Sequence, residues 1–116
     1  MRERKAKSQR AYVHDMLEAA SLIRRYMEGV SYEAFCENTE KQDAVSLRIA
    51  VLGETAGKID AETAKALTTV PFKEITGMRN RISHDYGNID FEVVWDVIQK
   101  DIGPLIAAFE AFLRLQ

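Results

Sequence analysis

The sequence is poor in cysteine, proline and glycine, and it has no long hydrophobic run. One cysteine, Cys36, excludes an intramolecular disulfide and any all-thiolate metal site. A chain without a disulfide framework is typical of a reducing compartment, so we expect a cytoplasmic protein. The apolar runs stay well short of the roughly 18–20 residues that a membrane span needs, so we expect no membrane partner.

Charge of one sign does not dominate either. The chain has 16 basic and 18 acidic residues, a formal net charge of −2 that excludes a strongly basic nucleic-acid coat but not a local basic site. The first ten residues have a net charge of +4 and the other 106 have −6. We expect residues 1–10 to be a solvated, frayed leader; contact with a phosphate backbone or an acidic partner is the alternative.

Helical periodicity is the strongest pattern in the chain. A length of 116 residues fits one domain over 1–116, and two prolines with few β-branched runs favour an all-α fold. Apolar residues recur in steps of three and four, as between Val13 and Met27, before a C-cap at Gly29. We therefore expect an antiparallel bundle of four longer helices with short extra helices.

Capping and turn residues divide the rest of the chain. Ser31 is predicted to precede a short helix that buries Phe35, and a capping box over Thr39–Gln42 to open a long helix with apolar positions to Ile59. Asp60 is predicted to precede a short helix through Leu67, and Pro71 to take the first position of a helix that ends near Asp85–Gly87. Asp90 is predicted to precede the next helix, which kinks or restarts at Gly103–Pro104.

Two glycines, Gly53 and Gly57, stand four residues apart inside the predicted long helix. Glycine costs about 1 kcal/mol relative to alanine in a helix interior. The pair therefore indicates that another backbone approaches closely, either within the bundle or from a second subunit.

One segment, Arg79 to Tyr86, gathers side chains suited to acid–base chemistry. It has two arginines, an asparagine, a histidine, an aspartate and a tyrosine, at the end of a predicted helix and beside a glycine turn. Cleavage of RNA without a metal needs a base for the 2′-hydroxyl, an acid for the leaving 5′-oxygen and a cation for the crowded phosphorane. Histidine titrates near neutral pH and arginine matches phosphate oxygens, so His84 and Arg79 are the candidates.

The spacing of these residues leaves two arrangements open. Positions 79 and 84 diverge by about 140° on an ideal helix, whereas Asn80 and His84 share a face. Either the last helical turn unwinds and brings His84 round, or two chains pair so that each cleft has Arg79 and His84 from both. The second arrangement also supplies two imidazoles, one for each proton transfer.

Other groups offer less chemistry. His14 has no acid, base or metal-like partner at a useful spacing, and we interpret it as structural or exposed. Arg48 either lines the same cleft as Arg79 or forms a surface ion pair with Glu40 or Glu54. The sequence has no metal-ligand pattern, P-loop or dinucleotide-binding glycine motif, so we expect no metal and no cofactor.

Arg79, Asn80, His84 and Tyr86 form the pattern R-N-x-x-x-H-x-Y, which resembles the signature of the HepT-like branch of the HEPN superfamily. With other segments, the resemblance covers nearly the whole chain, from about Tyr12 to Leu113. Those segments are Tyr32–Phe35, Thr39–Ala44, Val51–Ala56, Pro71–Arg81 and Asp90–Asp101.

Two positions depart from the family pattern. Phe72 stands where the family often has tryptophan, and Asp85 stands where glycine is common. A carboxylate at position 85 would raise the pKa of His84 or oppose the approach of RNA, which bears on the strength of any nuclease activity.

The resemblance implies an all-α homodimer that is the toxin of a two-gene toxin–antitoxin pair, with an MntA-like minimal nucleotidyltransferase as antitoxin. It implies a metal-independent endoribonuclease that binds RNA at a composite dimer cleft. Arg79 would stabilise phosphate and His84 would be the acid and base. Asn80 would orient His84 or the substrate, and Tyr86 would be the residue that the antitoxin modifies with AMP.

An alternative function is that of a non-catalytic helical partner and substrate of the nucleotidyltransferase. The net charge of −2 mildly favours this alternative, because it implies weak non-specific affinity for RNA. A helical dimerisation module without chemistry is a third interpretation.

Overall fold

The computed structural model describes residues 7–84 and 88–115, and the regular elements of that part are seven α-helices. The expected all-α fold is confirmed. Four helices have 13 residues or more, and the other three are shorter. The helices are α1 (Gln9–Met27), α2 (Tyr32–Glu37), α3 (Thr39–Ala56), α4 (Ala61–Lys65), α5 (Phe72–His84), α6 (Phe91–Lys100) and α7 (Ile102–Leu115).

Hydrogen bonds from the start of α1 show that this helix runs antiparallel to α3 and α7. The amide of Gln9 donates to the carbonyl of Lys58 at 3.0 Å and accepts from the backbone N–H of Asp60 at 2.8 Å. The guanidinium of Arg10 donates to the carbonyl of Leu113 at 2.9 Å. The beginning of α1 therefore lies beside the residues that follow α3 and beside the end of α7.

The core lies between α1, α3 and α7, with α5 packed on another side of α3. The stripe of apolar residues predicted for α1 is buried, and α2 contributes one fully buried aromatic ring. Apolar burial of this kind is the main stabilising term for a bundle. The largest fully buried side chains are Phe35, Phe109, Met16, Ile23, Val13, Val45 and Ser46.

Most of the predicted caps are confirmed. Gly29 has a φ of 71° just after α1, a conformation that glycine adopts without strain. Ser31 accepts a hydrogen bond from the backbone of Ala34 at the start of α2. Asp60 caps α4 by accepting from the backbone N–H of Thr63, and this bond holds the pKa of the carboxyl below its ordinary value.

The predicted capping box at the start of α3 is wrong by one residue. The N-cap is Asn38, whose side chain accepts from the backbone N–H of Lys41, and Thr39 is already helical. Gln42 does not close a box; its amide donates back to the carbonyls of Phe35 and Cys36 at 3.0 Å. Asn38 and Thr39 are both good caps, and the bond from Gln42 to the end of α2 favours the earlier start.

Other helix ends also differ from the prediction. The long helix α3 stops at Ala56, and Ile59 lies beyond it. Helix α4 ends at Lys65 rather than at Leu67. Helix α5 begins at Phe72, directly after the predicted first position.

The last two helices are separated at Asp101. The backbone N–H of Asp101 donates to Val97 and its carbonyl accepts from Leu105. The predicted restart of the helix is thus confirmed. Gly103 and Pro104, however, lie inside the first turn of α7. Proline is tolerated there because backbone N–H groups in the first turn have no partner within the helix.

Candidate active site at the end of helix α5

Helix α5 carries the candidate residues on its last two turns. Ile75 and Ile82 are buried and Met78 is half-buried, so an apolar stripe at helical spacing packs α5 onto the bundle. Arg79 and Arg81 follow in the part of the helix where the dipole favours cations. This end of α5 is therefore locally basic in a chain whose net charge is −2.

The backbone of α5 remains helical through His84. The suggestion that the last turn unwinds and brings His84 round to Arg79 is therefore wrong. On a continuous helix, positions 79 and 84 point about 140° apart. A single chain thus leaves these two positions on different faces of α5.

Arg79 and Asn80 form a direct pair. Arg79 is half-buried and Asn80 is exposed, and Nη1 of Arg79 donates to Oδ1 of Asn80 at 3.0 Å. The amide oxygen thereby holds one nitrogen of the guanidinium, and the other N–H groups of that fork remain suited to phosphate oxygens.

Gly53 of α3 lies directly against the stem of Arg79. A Cβ atom at position 53 would lie 2.9 Å from Cγ of Arg79 and 2.9 Å from the carbonyl oxygen of Ile75, too close for a side chain. The two helices therefore touch here, and Gly53 meets the prediction of close approach through packing within the chain. Gly57 does not meet that prediction, because it is exposed and lies at the C-cap of α3.

The contact between Gly53 and Arg79 was missed by the sequence reasoning. The only signal for it was a glycine in a helix interior, which indicates close approach but not the partner. The partner is set by how α3 and α5 cross, and that crossing is a property of tertiary packing.

Arg48 lies away from this contact. It lines a groove of about 570 Å³ between α1 and α3, together with Tyr12 and Glu54. Because Arg48 and Gly53 are five residues apart on α3, they point about 140° apart. In the described part of the chain, Arg48 forms no ion pair with Glu40 or Glu54, and its Nε is buried without a hydrogen bond. The predicted surface ion pair of Arg48 is therefore wrong, whereas a place for Arg48 in a cleft between two chains stays a prediction.

The remaining candidates are only partly located. Position 84 is the last residue of α5, but the side chain of His84 lies outside the described residues. Asp85 and Tyr86 also lie outside them. His14, by contrast, is exposed on α1, as one of its two interpretations expected.

The described residues contain neither a cluster of metal-ligand side chains nor a helix that could span a membrane. Among residues 7–84 and 88–115, no three histidine, cysteine, aspartate or glutamate side chains cluster as metal ligands would. In the same part of the chain, no helix is long and apolar enough to cross a membrane.

Comparison with known proteins places the chain in one family. Residues 16–112 match the family described as ribonuclease HepT-like. Two candidate RNases of Methanocaldococcus jannaschii are 30% and 29% identical over 105 residues, which is 90% of this chain and 87% and 90% of those proteins. A probable ribonuclease HepT of Thermococcus cleftensis is 28% identical over 104 residues, 90% of this chain and 94% of that protein. No solved structure matches significantly. Because the family match extends over most of this chain, the chain belongs to the ribonuclease HepT-like family.

Proposed function

We propose that this protein is a metal-independent endoribonuclease and the toxin of a two-gene toxin–antitoxin pair. Its RNA-cleaving groups are Arg79 and His84, supported by Asn80, at a cleft between two copies of the chain. A minimal nucleotidyltransferase of the MntA type neutralises it by AMPylation of Tyr86. RNA is the substrate, and the site works in the cytoplasm.

The observation that carries the proposal is the anchored guanidinium of Arg79. Its stem is fixed against Gly53, and one nitrogen is held at 3.0 Å by the exposed Asn80. A planar, always charged group held in this way is preorganised to stabilise a phosphorane. The chain belongs to a family named for ribonuclease activity, which agrees with that chemistry.

The proposed reaction is an in-line transfer at phosphorus. One imidazole takes the proton of the 2′-hydroxyl as the oxygen forms its bond to phosphorus. An imidazolium gives a proton to the 5′-oxygen as the bond from phosphorus to that oxygen breaks. The products are a 2′,3′-cyclic phosphate and a 5′-hydroxyl, and the guanidinium stabilises the charge in between.

The continuity of α5 supports a cleft made by two chains. Within one chain, positions 79 and 84 lie about 140° apart on the helix. A twofold dimer brings each surface against its own copy, so that Arg79 of one protomer can face His84 of the other. Such a cleft also holds two imidazoles, one for each proton transfer.

AMPylation provides a physical means of control. Tyr86 follows His84 by two residues, so an AMP group on its phenol would place bulk and negative phosphate close to the cleft. That charge repels the RNA backbone. The transfer breaks the α–β phosphoanhydride of ATP, releases pyrophosphate and passes the phenolic proton to a base.

RNA cleavage by purified variants tests the nuclease. We expect His84→Ala to lower kcat by about 10²–10⁴-fold and Arg79→Ala by about 10²–10³-fold, with the helical circular dichroism spectrum unchanged. His14→Ala removes the only other histidine, which is exposed on α1, and should cleave like the wild type. Equal cleavage by wild type and His84→Ala would refute the assignment.

The net charge of −2 favours a second candidate, a non-catalytic partner and substrate of the nucleotidyltransferase. The intact mass of the protein made with and without that enzyme separates the two. An AMP increment that Tyr86→Phe abolishes, on a protein that cleaves no RNA before modification, would support the second candidate.

A further inference from the structure

Gly53 has the closest interhelical contact of the glycines in the described part of the chain, and the residue it touches is the candidate phosphate-binding arginine. It lies inside α3, where glycine weakens the helix, and it is buried. Close approach to Arg79 is therefore the feature of this position that alanine could not reproduce.

The contact involves groups that cannot easily give way. A Cβ at position 53 would lie 2.9 Å from the carbonyl oxygen of Ile75, about 0.5 Å inside ordinary contact. That oxygen belongs to the helical backbone of α5 and cannot rotate aside. The stem of Arg79 on the same side of α5 would also be in the way.

The contact occurs at the base of the Arg79 side chain. Arg79 as a whole is half-exposed, and the guanidinium at the far end of its side chain donates to Asn80. Any outward shift of α5, or any change in the first torsion angles of Arg79, is carried along the side chain to the guanidinium.

We propose that Gly53 is a positioning residue, which fixes the depth at which the guanidinium of Arg79 emerges between α3 and α5. The inference rests on the proposed function, since it concerns the geometry of the same RNA-cleaving site. Gly53 touches no substrate and acts only through Arg79. A misplacement of about 1 Å is enough to cost roughly 10²-fold in rate.

Steady-state cleavage of a short RNA by Gly53→Ala tests this inference. We expect kcat to fall at least tenfold, with KM changed less than threefold, at a temperature where the variant is folded. Gly57→Ala is the matched control, because a Cβ there would meet only carbonyls of its own helix, at 3.4 Å or more. We expect it to cleave like the wild type.

An NMR signal from the Arg79 side chain separates a positioning role of Gly53 from a merely structural one. The Nε–H signal of Arg79 in a ¹⁵N spectrum, assigned by its loss in Arg79→Lys, should shift in Gly53→Ala and stay in place in Gly57→Ala. A Gly53→Ala protein with wild-type kcat, or with an unmoved Arg79 signal, would overturn the inference.

A stabilised background separates a loss of folding from a loss of activity in Gly53→Ala. Gly77→Ala adds helix propensity to α5 at an exposed position with no neighbour within 4 Å, so it is a background in which Gly53→Ala should remain folded. Failure to fold even there would mean that position 53 serves the whole interface of α3 and α5, against the inference. Absence of cleavage by the wild type would refute the nuclease, whereas the Arg79 signal would still test the contact.

Discussion

At the scale of single residues, the proposed site depends on how Arg79 is held. The sequence motif was sufficient to single out Arg79, Asn80 and His84, because guanidinium, amide and imidazole groups at that spacing suit phosphate chemistry. It could not reveal that Arg79 rests on Gly53, since these residues are 26 positions apart and meet only when α3 crosses α5.

The bond between Arg79 and Asn80 makes a prediction of its own. Asn80→Ala removes the acceptor, and loss of an exposed hydrogen bond to a charged group should lower kcat/KM for RNA about tenfold. Asn80→Asp keeps an acceptor oxygen but adds negative charge, which opposes both the bound phosphate and the phosphorane, so it should raise KM and lower kcat. Wild-type cleavage kinetics in Asn80→Ala would show that the pair does not orient the arginine.

At the scale of helices, local signals predicted where most elements lie. Apolar steps of three and four, together with caps such as Ser31, Asp60 and Asp90, are set by neighbouring residues and can be recognised in sequence. Helix ends were less predictable. The N-cap of α3 is Asn38 rather than Thr39 because the side chain of Gln42 donates hydrogen bonds back to the end of α2, which is a contact between two elements.

Stability measurements test the corrected start of α3. Asn38→Ala should lower the free energy of unfolding by about 1 kcal/mol, because the backbone N–H of Lys41 loses its acceptor. Thr39→Ala should change it by less than about 0.5 kcal/mol, since Thr39 is an exposed helical residue. Urea unfolding with an unchanged m-value measures both, and a larger loss for Thr39→Ala would restore the predicted capping box.

At the scale of the whole molecule, α3 separates two arginines that sequence reasoning had considered together. Arg48 of α3 lines the groove between α1 and α3, whereas Arg79 belongs to α5 and contacts α3 at Gly53. The all-α bundle could be predicted because helical periodicity is local. The grouping of side chains into a cleft could not, because it depends on how helices cross and on how two chains would meet.

The most direct test of the two-chain cleft mixes two inactive proteins, Arg79→Ala and His84→Ala. Subunits are exchanged by joint refolding, and native mass spectrometry measures the mixed dimer. In that dimer, Arg79 of one protomer still faces the one remaining imidazole, His84 of the other. We therefore predict that RNA cleavage returns above the level of either parent but stays below that of the wild type, because only one of the two proton transfers retains its imidazole. A mixture that contains mixed dimers and remains as inactive as its parents would contradict the account.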